Sequence, residues 1–426
     1  MKLHSHRYFD ATEPVKSIAY DLYEHIIDFP ILSPHGHVEP QLLAENQPFP
    51  DPTELIIIPD HYIYRLIYSQ GIPLESMGVP TRDGTPVESD HRKIWPIFAE
   101  HYYLFAGTPT GVWLDNTLYE VLGVEEKLNK RNAKKIYDEI TEKLQSPEFL
   151  PQTLFGRFNI EVLTTTDATS DSLQYHRRIK DSGLSGQVLP CFRPDSVIDI
   201  SQPEWKHEVD VLSHAAKMDI TSFKCYLSAL ENRREFFKSL GAVSTDQGIQ
   251  SPYTHELTSS EMEAIFQRAL KGKATHEDTE LFTAHMLMEM ARMSVEDGLV
   301  MQIHPGAMRN HNCFIFNRFG IDKGCDIPLR TEYTRNLWEL LNKFGNDSRF
   351  RFVVFTLDES TYSRELAPLV GHYPAMKLGA PWWFHDSIEG MIRFRQQVTE
   401  TASIYNTVGF TDDIRAFNPR FFRKPF

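Results

Sequence analysis

The feature that most constrains the fold is an alternation of short apolar segments with helical patterns along the 426 residues. Eight apolar or β-branched runs end in polar, glycine or proline residues, and most of them precede a segment with helical periodicity. The runs cover residues 28–34, 160–167, 187–195, 242–248, 299–306, 351–358, 376–383 and 406–413. Strands that alternate with helices form parallel βαβ units, and eight units are typical of a closed (β/α)8 barrel of the TIM type. An open doubly wound α/β sheet is the alternative, because it gives a similar alternation.

Two connections between these runs are too long for simple loops. Residues 41–155 carry helical patterns and their own aromatic side chains, which predicts a helical subdomain inserted after strand 1. Residues 250–297 predict a second helical insertion before strand 5. We therefore expect the barrel to consist of residues 1–40 and 156–426. About 13 residues follow Asp413, too few for a last helix and its connection, so we expect the chain to be short at its C-terminus.

The charge and the cysteine content exclude several classes of protein. The chain has 44 Lys and Arg against 58 Asp and Glu, and the formal charge of −14 argues against a nucleic acid or an anionic membrane as partner. Its four cysteines are far apart, which suits reduced thiols better than a disulfide framework or a cysteine metal site. The first residues, MKLHSHRYF, contain no apolar stretch of the kind found in signal sequences, and no apolar run approaches about 18 residues. We expect a cytoplasmic protein.

A pair of histidines, His35 and His37, follows the first apolar run in the segment FPILSPHGH. Residues 29–32 predict a short buried strand that ends near Pro34. In an extended segment, residues two apart point the same way, so the two imidazoles are expected to converge just beyond the strand. Neutral imidazole is the commonest metal ligand, and a carboxylate beside the pair would complete a site for a divalent ion.

Titratable or aromatic side chains follow nearly every predicted strand. In chain order they are His35 and His37, Asp167, Arg193 and Asp195, Asp246, His304, Asp358 and Glu359, Trp382 and Trp383, and Asp412 and Asp413. A single aspartate at a strand end is as easily the cap of the next helix. Their joint placement at one rim favours a catalytic mouth, because buried charges without partners are costly.

The HxH pair after strand 1, the histidine on strand 5 and the aspartate on strand 8 resemble the amidohydrolase superfamily. There, the HxH pair and the strand 8 aspartate hold a metal ion. Hydrolytic members often add a strand 4 lysine for a second metal and a strand 6 histidine. Strand 4 of this chain reads AVSTDQG, without lysine, and strand 6 has no histidine, so the resemblance implies a single ion.

Longer segments resemble one branch of that superfamily, the uronate isomerases. They are DHYIYRLIYSQGI (60–72), FRPD (192–195), ENRREFFKSLGAVSTDQG (231–248), MQIHPGAMRNHN (301–312), LGAPWWFHDSIEGM (378–391) and VGFTDDIRAF (408–417). They occur in the family's order over nearly the whole chain. Three departures are present: Gln247 follows the strand 4 aspartate where many members have histidine, the segment TLDESTYSREL lacks a family arginine, and the tail after Phe417 leaves the pattern.

The resemblance implies a metal-assisted aldose–ketose isomerisation of D-glucuronate to D-fructuronate and of D-galacturonate to D-tagaturonate through an enediolate. One divalent ion, with zinc expected first and manganese or iron as alternatives, would be held by His35, His37 and Asp412. Asp412 is the first choice for the base that moves a proton between carbons 2 and 1. Tyr62 is the next candidate for acid–base catalysis. The alternative is that Tyr62 is an ordinary residue of an amphipathic helix, without a catalytic role. His304 is expected beside the metal, as a partner of a substrate hydroxyl or an additional ligand.

The substrate-binding residues also follow from the matching segments. Arg309 is assigned to the substrate carboxylate, which a guanidinium can bind through two hydrogen bonds. His61 and Asp246 are expected at sugar hydroxyls. Trp382 and Trp383 are either core residues or flat surfaces for the sugar's C–H groups. For Arg193 and Asp195 we favour a structural pair beneath the site.

Two other functions remain open at the level of sequence. One is a mononuclear metal-dependent hydrolase of the amidohydrolase superfamily, and the other is a non-catalytic sugar-acid binding protein. The expected partners are a small-molecule uronic acid and further copies of the chain in a homo-oligomer. No nucleic-acid or membrane partner is expected.

Overall fold

The computed structural model describes residue 3 and residues 7–409, apart from the side chain of Phe384. Asp412 and Asp413 lie outside the described residues. In the described part of the chain, no helix is long and apolar enough to cross a lipid bilayer.

Eleven short strands and seventeen α-helices make up most of the described chain. The strands are β1 Ile31–Ser33, β2 Ile160–Thr164, β3 Asp167–Ala168, β4 Gln187–Leu189, β5 Phe192–Arg193, β6 Ser244–Ile249, β7 Val300–Pro305, β8 Ala307–Met308, β9 Ile327–Pro328, β10 Phe352–Val354 and β11 Met376–Leu378. The helices in the first half are α1 Val15–Glu24, α2 Pro40–Glu45, α3 His61–Tyr68, α4 His91–Glu100, α5 Pro109–Asn116, α6 Ala133–Leu144, α7 Pro151–Arg157, α8 Gln174–Asp181, α9 Asp195–Ile198 and α10 Trp205–Ala216. Those in the second half are α11 Phe223–Ser239, α12 Ser259–Leu270, α13 His276–Asp297, α14 Cys313–Phe319, α15 Trp338–Phe344, α16 Ala367–Val370 and α17 Ile388–Ala402.

Nine short turns of other helix types connect these elements. Five-residue π-helical turns are found at Thr53–Ile57, Thr117–Val121 and Tyr362–Leu366. Turns of 3₁₀-helix are found at Leu74–Met77, Tyr102–Phe105, Pro147–Phe149, Glu359–Thr361, Trp383–His385 and Ile404–Asn406.

The two larger sheets are parallel, as the alternation of strands and helices predicts. One has the order β1-β2-β4 and the other β11-β10-β7-β6-β5-β3, so neighbours in space follow one another in sequence. The chain passes from β2 to β3 and from β4 to β5 within a few residues, so the first sheet leads directly into the second. Beyond β11, Leu378 forms a parallel bridge with Thr407. Seven of the eight predicted runs thus contain strands, and the described part of the eighth contains this bridge.

One detail of the first run differs from the sequence-based expectation. Phe29 precedes β1 and is 64% exposed, and Leu32 within it is 61% exposed, so this run is not buried. Its hydrogen bonds are nevertheless those of a strand, since Ile31, Leu32 and Ser33 pair with β2.

Two predicted insertions are helical in the structure. Every regular element between β1 and β2 is a helix or a helical turn, and the buried side chains there form one apolar core that continues onto β2 and β4. Residues 250–297, the second predicted insertion, contain α12 and α13. Both helices begin with a capping box, in which Thr258 and Glu261, and Thr275 and Asp278, exchange side-chain and backbone hydrogen bonds. Gly298, with φ of 80°, ends α13 as a left-handed cap.

Candidate active site

The carboxyl ends of the central strands hold a buried cluster of two imidazoles and one carboxylate. His35, Asp246 and His304 each offer a ligand atom, and these atoms lie within 4.8 Å of one another. Asp246 is fully buried, and the two histidines are 2% and 3% exposed. Because Gly248 on β6 pairs with His304 on β7, and alternate strand residues share a face, Asp246 and His304 point to the same side of the sheet.

Short contacts hold this cluster together. Nδ1 of His304 lies 2.5 Å from Oδ1 of Asp246, and Nδ1 of His35 lies 3.9 Å from Oδ2. The His304 ring stacks between those of His35 at 4.6 Å and Phe355 at 4.2 Å. The guanidinium of Arg193 also contacts this carboxylate, with Nη1 3.0 Å from Oδ2 of Asp246.

The electrostatics of the cluster keep Asp246 ionised. Burial raises the pKa of this carboxyl, but His304, Arg193 and His35 outweigh burial and hold it well below its ordinary range. Two imidazoles beside a buried anion form a nitrogen and oxygen ligand set that suits zinc, manganese or iron. The residues present therefore fit a divalent metal ion.

The predicted histidine pair lies beyond the end of β1, and its two rings are close to each other. Residues 34–39 contain no strand, and the rings of His35 and His37 are 5.1 Å apart at an angle of 89°. Thr166 donates a hydrogen bond of 2.6 Å to the carbonyl oxygen of Gly36 and so fixes the bend between them. Both histidines still line the same cavity. Asp412, the third predicted ligand, lies outside the described residues.

The cluster opens into a cavity of about 620 Å³. Its wall includes the predicted site residues His35, His37, Asp246, His304, Arg309, Trp382 and Trp383. Arg193 and Asp195 also line it, and their predicted pairing is confirmed by a hydrogen bond of 2.7 Å from Nε of Arg193 to Oδ2 of Asp195. The pair is therefore part of the cavity wall as well as a structural contact.

The loop between β7 and β10 shapes the mouth of the cavity. Strands β8 and β9 pair as an antiparallel hairpin, which brings Asp326 back to Arg309. Asp326 accepts hydrogen bonds from Nη1 of Arg309 at 2.7 Å and from the backbone N of Asn310 at 2.8 Å. The Arg309 guanidinium also lies 5.0 Å from the centre of the Trp383 ring.

Trp383 combines burial with a strained backbone. It is 5% exposed, and its φ of 53° falls in the left-handed region, which is costly for a bulky residue. Such strain persists where surrounding contacts enforce it, and it concentrates at functional sites. Trp382 contacts Trp383 at 4.5 Å and packs edge-on against His304 at 4.9 Å. Both tryptophans are thus core residues that also form the cavity wall.

His61 and Tyr62 lie beside this cavity at the beginning of α3. Asp60 caps the helix by accepting a hydrogen bond of 2.8 Å from the backbone N of Tyr62. The rings of His61 and Tyr62 stack at 4.5 Å. Both line a smaller recess, whose other walls include Asp326 and Trp383 from the main cavity.

Three residues from the predicted rim have other roles. In the described structure, Asp167, Asp358 and Glu359 are not part of the cavity wall. Asp358 accepts hydrogen bonds from the backbone of Ser360 and of Thr331, and Glu359 contacts His385 and Arg393. These contacts are caps and surface ion pairs.

Asp167 is buried and does not line the cavity, and it stays protonated to a higher pH than an ordinary aspartate. Oδ2 accepts hydrogen bonds from Thr165 Oγ1 at 2.7 Å and from the backbone N of Cys191 at 3.2 Å. Burial nevertheless raises its pKa to about 7. Nε2 of His176 lies 2.8 Å from Thr165 Oγ1, and burial lowers the pKa of this histidine to about 4, so it stays neutral at pH 7.

We expect Asp167 to make stability fall as pH rises. Because its folded pKa is above the ordinary value, its contribution is fully present below about pH 4 and is lost as pH rises through about 7. Between pH 5 and pH 8.5 the free energy of unfolding should decrease by about 2 kcal/mol from this group. Urea unfolding at both pH values should show that Asp167→Asn removes this decrease, whereas Asp210→Asn, at an exposed ion pair, retains it. Equal pH dependence in all three proteins would contradict the expectation.

Comparison with known proteins finds relatives over nearly the whole chain. Residues 6–424 match the family model described as glucuronate isomerase. A protein named uronate isomerase, from Nostoc punctiforme, is 56% identical over 407 residues, which are 95% of this chain and 86% of that protein. The crystal structure of glucuronate isomerase from Caulobacter crescentus has a TM-score of 0.96 at 49% identity, with 99% of this chain and 88% of that chain covered. The crystal structure of uronate isomerase from Thermotoga maritima has a TM-score of 0.91 at 27% identity, with 100% and 92% covered.

Proposed function

The chain belongs to the glucuronate isomerase family, and from that premise we propose that the cavity at Asp246 isomerises D-glucuronate and D-galacturonate. The chain is a uronate isomerase, and the products of the two reactions are D-fructuronate and D-tagaturonate. The observation that carries the proposal is the buried cluster of His35, Asp246 and His304 at the bottom of a cavity that also holds Arg309. An aldose–ketose isomerisation needs a polarised carbonyl, a base and a cation for the carboxylate. The cluster can hold an ion that polarises the carbonyl, Arg309 is proposed as the cation, and the base is assigned separately below.

The finer architecture is part of the same proposal. We infer that the parallel strands close into an eight-stranded barrel, with the run at 406–413 as the eighth strand. The bridge between Leu378 and Thr407 supports this closure. Residues 1–40 and 156–426 would then form the catalytic barrel, and residues 41–155 the inserted helical subdomain. The active site would lie at the carboxyl ends of the strands, as in other barrel enzymes.

One divalent ion, zinc in the first instance, is proposed at His35, His37 and Asp412. Asp246 and His304 would adjoin it, and His304 is close enough to the cluster to serve as an additional ligand. When bound, the ion polarises the carbonyl oxygen of the sugar and stabilises negative charge that develops there. The ionised Asp246 balances the charge of Arg193 and orients the His304 ring through its 2.5 Å contact with Nδ1.

The proton moves between carbon 2 and carbon 1 of the sugar. We propose Asp412 as the base that takes it from carbon 2 and returns it to carbon 1. Tyr62 is the second candidate, because its ring stacks on His61 beside the cavity and its backbone position is fixed by the Asp60 cap. A hydroxyl there can donate a hydrogen bond to the oxygen that becomes the enediolate. His61 and Asp246 are proposed to bind sugar hydroxyls, and the tryptophan surfaces to cover the C–H face of the sugar.

The test is to measure the metal content of the purified protein and then to incubate it with D-glucuronate and D-galacturonate. We expect ketouronates of unchanged mass, and the initial rates would rank the two sugars. A mononuclear hydrolase would instead add water to an amide, ester or lactone, and a non-catalytic binding protein would convert neither sugar. No conversion by fully metal-loaded protein would contradict the proposal. Its cytoplasmic location and its assembly as a homo-oligomer stay predictions.

A further inference from the structure

An apolar stripe runs along the surface of the N-terminal segment. Val15, Ile18 and Leu22 share one face of α1, because they are three and four residues apart. The stripe continues beyond the helix, and each of its six side chains is between 52% and 66% exposed: Val15, Ile18, Leu22, Ile26, Phe29 and Leu32. In the described structure, none of the ten residues of α1 is buried. An exposed apolar surface of this extent generally marks a binding site.

The length of α1 also indicates that the stripe is covered in solution. Isolated helices shorter than about 12–15 residues are marginal in water, and α1 has ten residues. On another face of the helix, the ring of Phe9 packs edge-on at 5.6 Å from Tyr20 and 5.9 Å from Tyr23, and both tyrosines stay partly exposed. Packing against the stripe would therefore supply stability that the helix lacks by itself.

The segment that carries the stripe is strongly acidic. Residues 10–32 contain one lysine and no arginine against five carboxylates: Asp10, Glu13, Asp21, Glu24 and Asp28. The lysine, Lys16, pairs with Glu13 at 3.8 Å. The carboxylates of Asp21 and Glu24 pair with no cation in the described part of the chain. The group that covers the stripe is thus expected to be both apolar and positively charged.

We propose that the C-terminal segment, residues 414–426, packs on this stripe within the same molecule. These residues lie outside the described part of the chain, and their composition is complementary to the stripe. They contain no acidic side chain, four cations and four phenylalanines: Arg415, Arg420, Arg423 and Lys424, and Phe417, Phe421, Phe422 and Phe426. The phenylalanines match the apolar side chains, and the cations match the carboxylates beside them.

The strand order brings the two segments together. Thr407 forms a parallel bridge with Leu378 at the edge of the second sheet, and β1 is the edge strand of the first. The barrel closure proposed above sets the run at 406–413 against β1, so the C-terminal segment begins beside the strand that carries Leu32. Thirteen extended residues span up to about 43 Å, whereas α1 is about 15 Å long. The contact rests on the proposed closure but not on the reaction.

Two other occupants fit the stripe less well. A second copy of the chain would bring the same stripe and the same excess of carboxylates, so like charges would face each other across the contact. Helices that lie on lipid surfaces are rich in Lys and Arg, whereas residues 10–32 contain a single lysine. The C-terminal segment has the opposite charge, and its covalent link to the stripe gives it a high effective concentration there.

Zero-length cross-linking of the full-length protein tests the contact directly. Lys424 is the only lysine in residues 414–426, and a carbodiimide joins its amine to a carboxylate only where the two groups touch. We expect peptide mapping of the monomer band to link Lys424 to a carboxylate of residues 10–32. The absence of this link, or its presence only in covalent dimers, would overturn the proposal. A link from Lys16 to Glu24 in covalent dimers would do the same, because a second copy would then cover the stripe.

Variants on both sides of the contact test whether apolar side chains hold it. Phe421→Ser combined with Phe422→Ser should lower the yield of the Lys424 link at least about fivefold and raise the fluorescence of the apolar dye ANS at least about twofold, because the stripe is uncovered. Leu22→Ser, on the stripe itself, should lower the yield to a similar extent. Phe314→Ser is the matched control: Phe314 is 62% exposed on α14 and should leave yield and fluorescence unchanged.

The outcomes separate this contact from the proposed function. Wild-type yields in the folded variants, or equal losses in the variants and the control, would overturn the contact. If circular dichroism shows one variant to be unfolded, the other decides by the same yield. Turnover of D-glucuronate by the same wild-type preparation tests the isomerase independently. Turnover without the Lys424 link would retain the function and remove the contact, and the link without turnover would do the reverse.

Discussion

Replacement of Asp246 by asparagine is expected to lower kcat for D-glucuronate by about 10²–10³-fold and to reduce the metal content of the purified protein. Asp246 is the only carboxylate that contacts His304, His35 and Arg193 together in the described structure, and it is completely buried. An amide of the same shape leaves these cationic or polar partners without their anion. Removal of one partner from a buried ion pair costs about 3–5 kcal/mol, so the variant should also unfold at a lower urea concentration.

A loss of stability alone would not establish a role in the site, and a matched variant separates the two effects. Asp297 pairs with the buried Arg234 at 2.6 Å, away from the cavity. Asp297→Asn should lose stability to a similar extent but keep its metal and its kcat. Metal measured by atomic emission and steady-state rates measured at a temperature where both variants are folded provide the comparison. Wild-type turnover in Asp246→Asn would remove this carboxylate from the mechanism.

The order of the strands was predictable because it depends on local patterns. Each strand is a short apolar or β-branched run bounded by glycine, proline or polar residues, and such runs pair in sequence order when helices connect them. The position of His304 follows from the same patterns, because it is the next to last residue of β7, whereas Asp246 lies in the middle of β6. Their contact depends on the register of β6 and β7, in which Gly248 pairs with His304 and places Asp246 on the same face.

The remaining parts of the site depend on contacts that no local pattern encodes. Asp326 reaches Arg309 only because β8 and β9 pair across 18 intervening residues, and nothing in the segment around Asp326 predicts that hairpin. The tight space around Gly248 is likewise set by the side chains of Arg193 and Arg309, which are distant in sequence. Asp358, which the sequence placed at the predicted rim, caps the turn Glu359–Thr361, as the alternative reading of a single strand-end aspartate allows. The left-handed backbone of Trp383 likewise has no sequence signal.

Replacement of Asp412 by asparagine is expected to lower kcat by about 10³-fold, because general base catalysis typically contributes 10²–10⁴-fold. Asp412 lies outside the described residues, so the prediction rests on the TDD segment at the end of the eighth run. In D2O, wild-type enzyme should introduce deuterium at carbon 1 of the ketose and carbon 2 of the recovered aldose, and the variant should do so at the reduced rate. Asp413→Asn removes the same charge one residue away and should keep most of the activity. If instead Asp412→Asn turns over normally while Tyr62→Phe loses both turnover and exchange, the proton is carried by Tyr62, and the base belongs to the helical insertion.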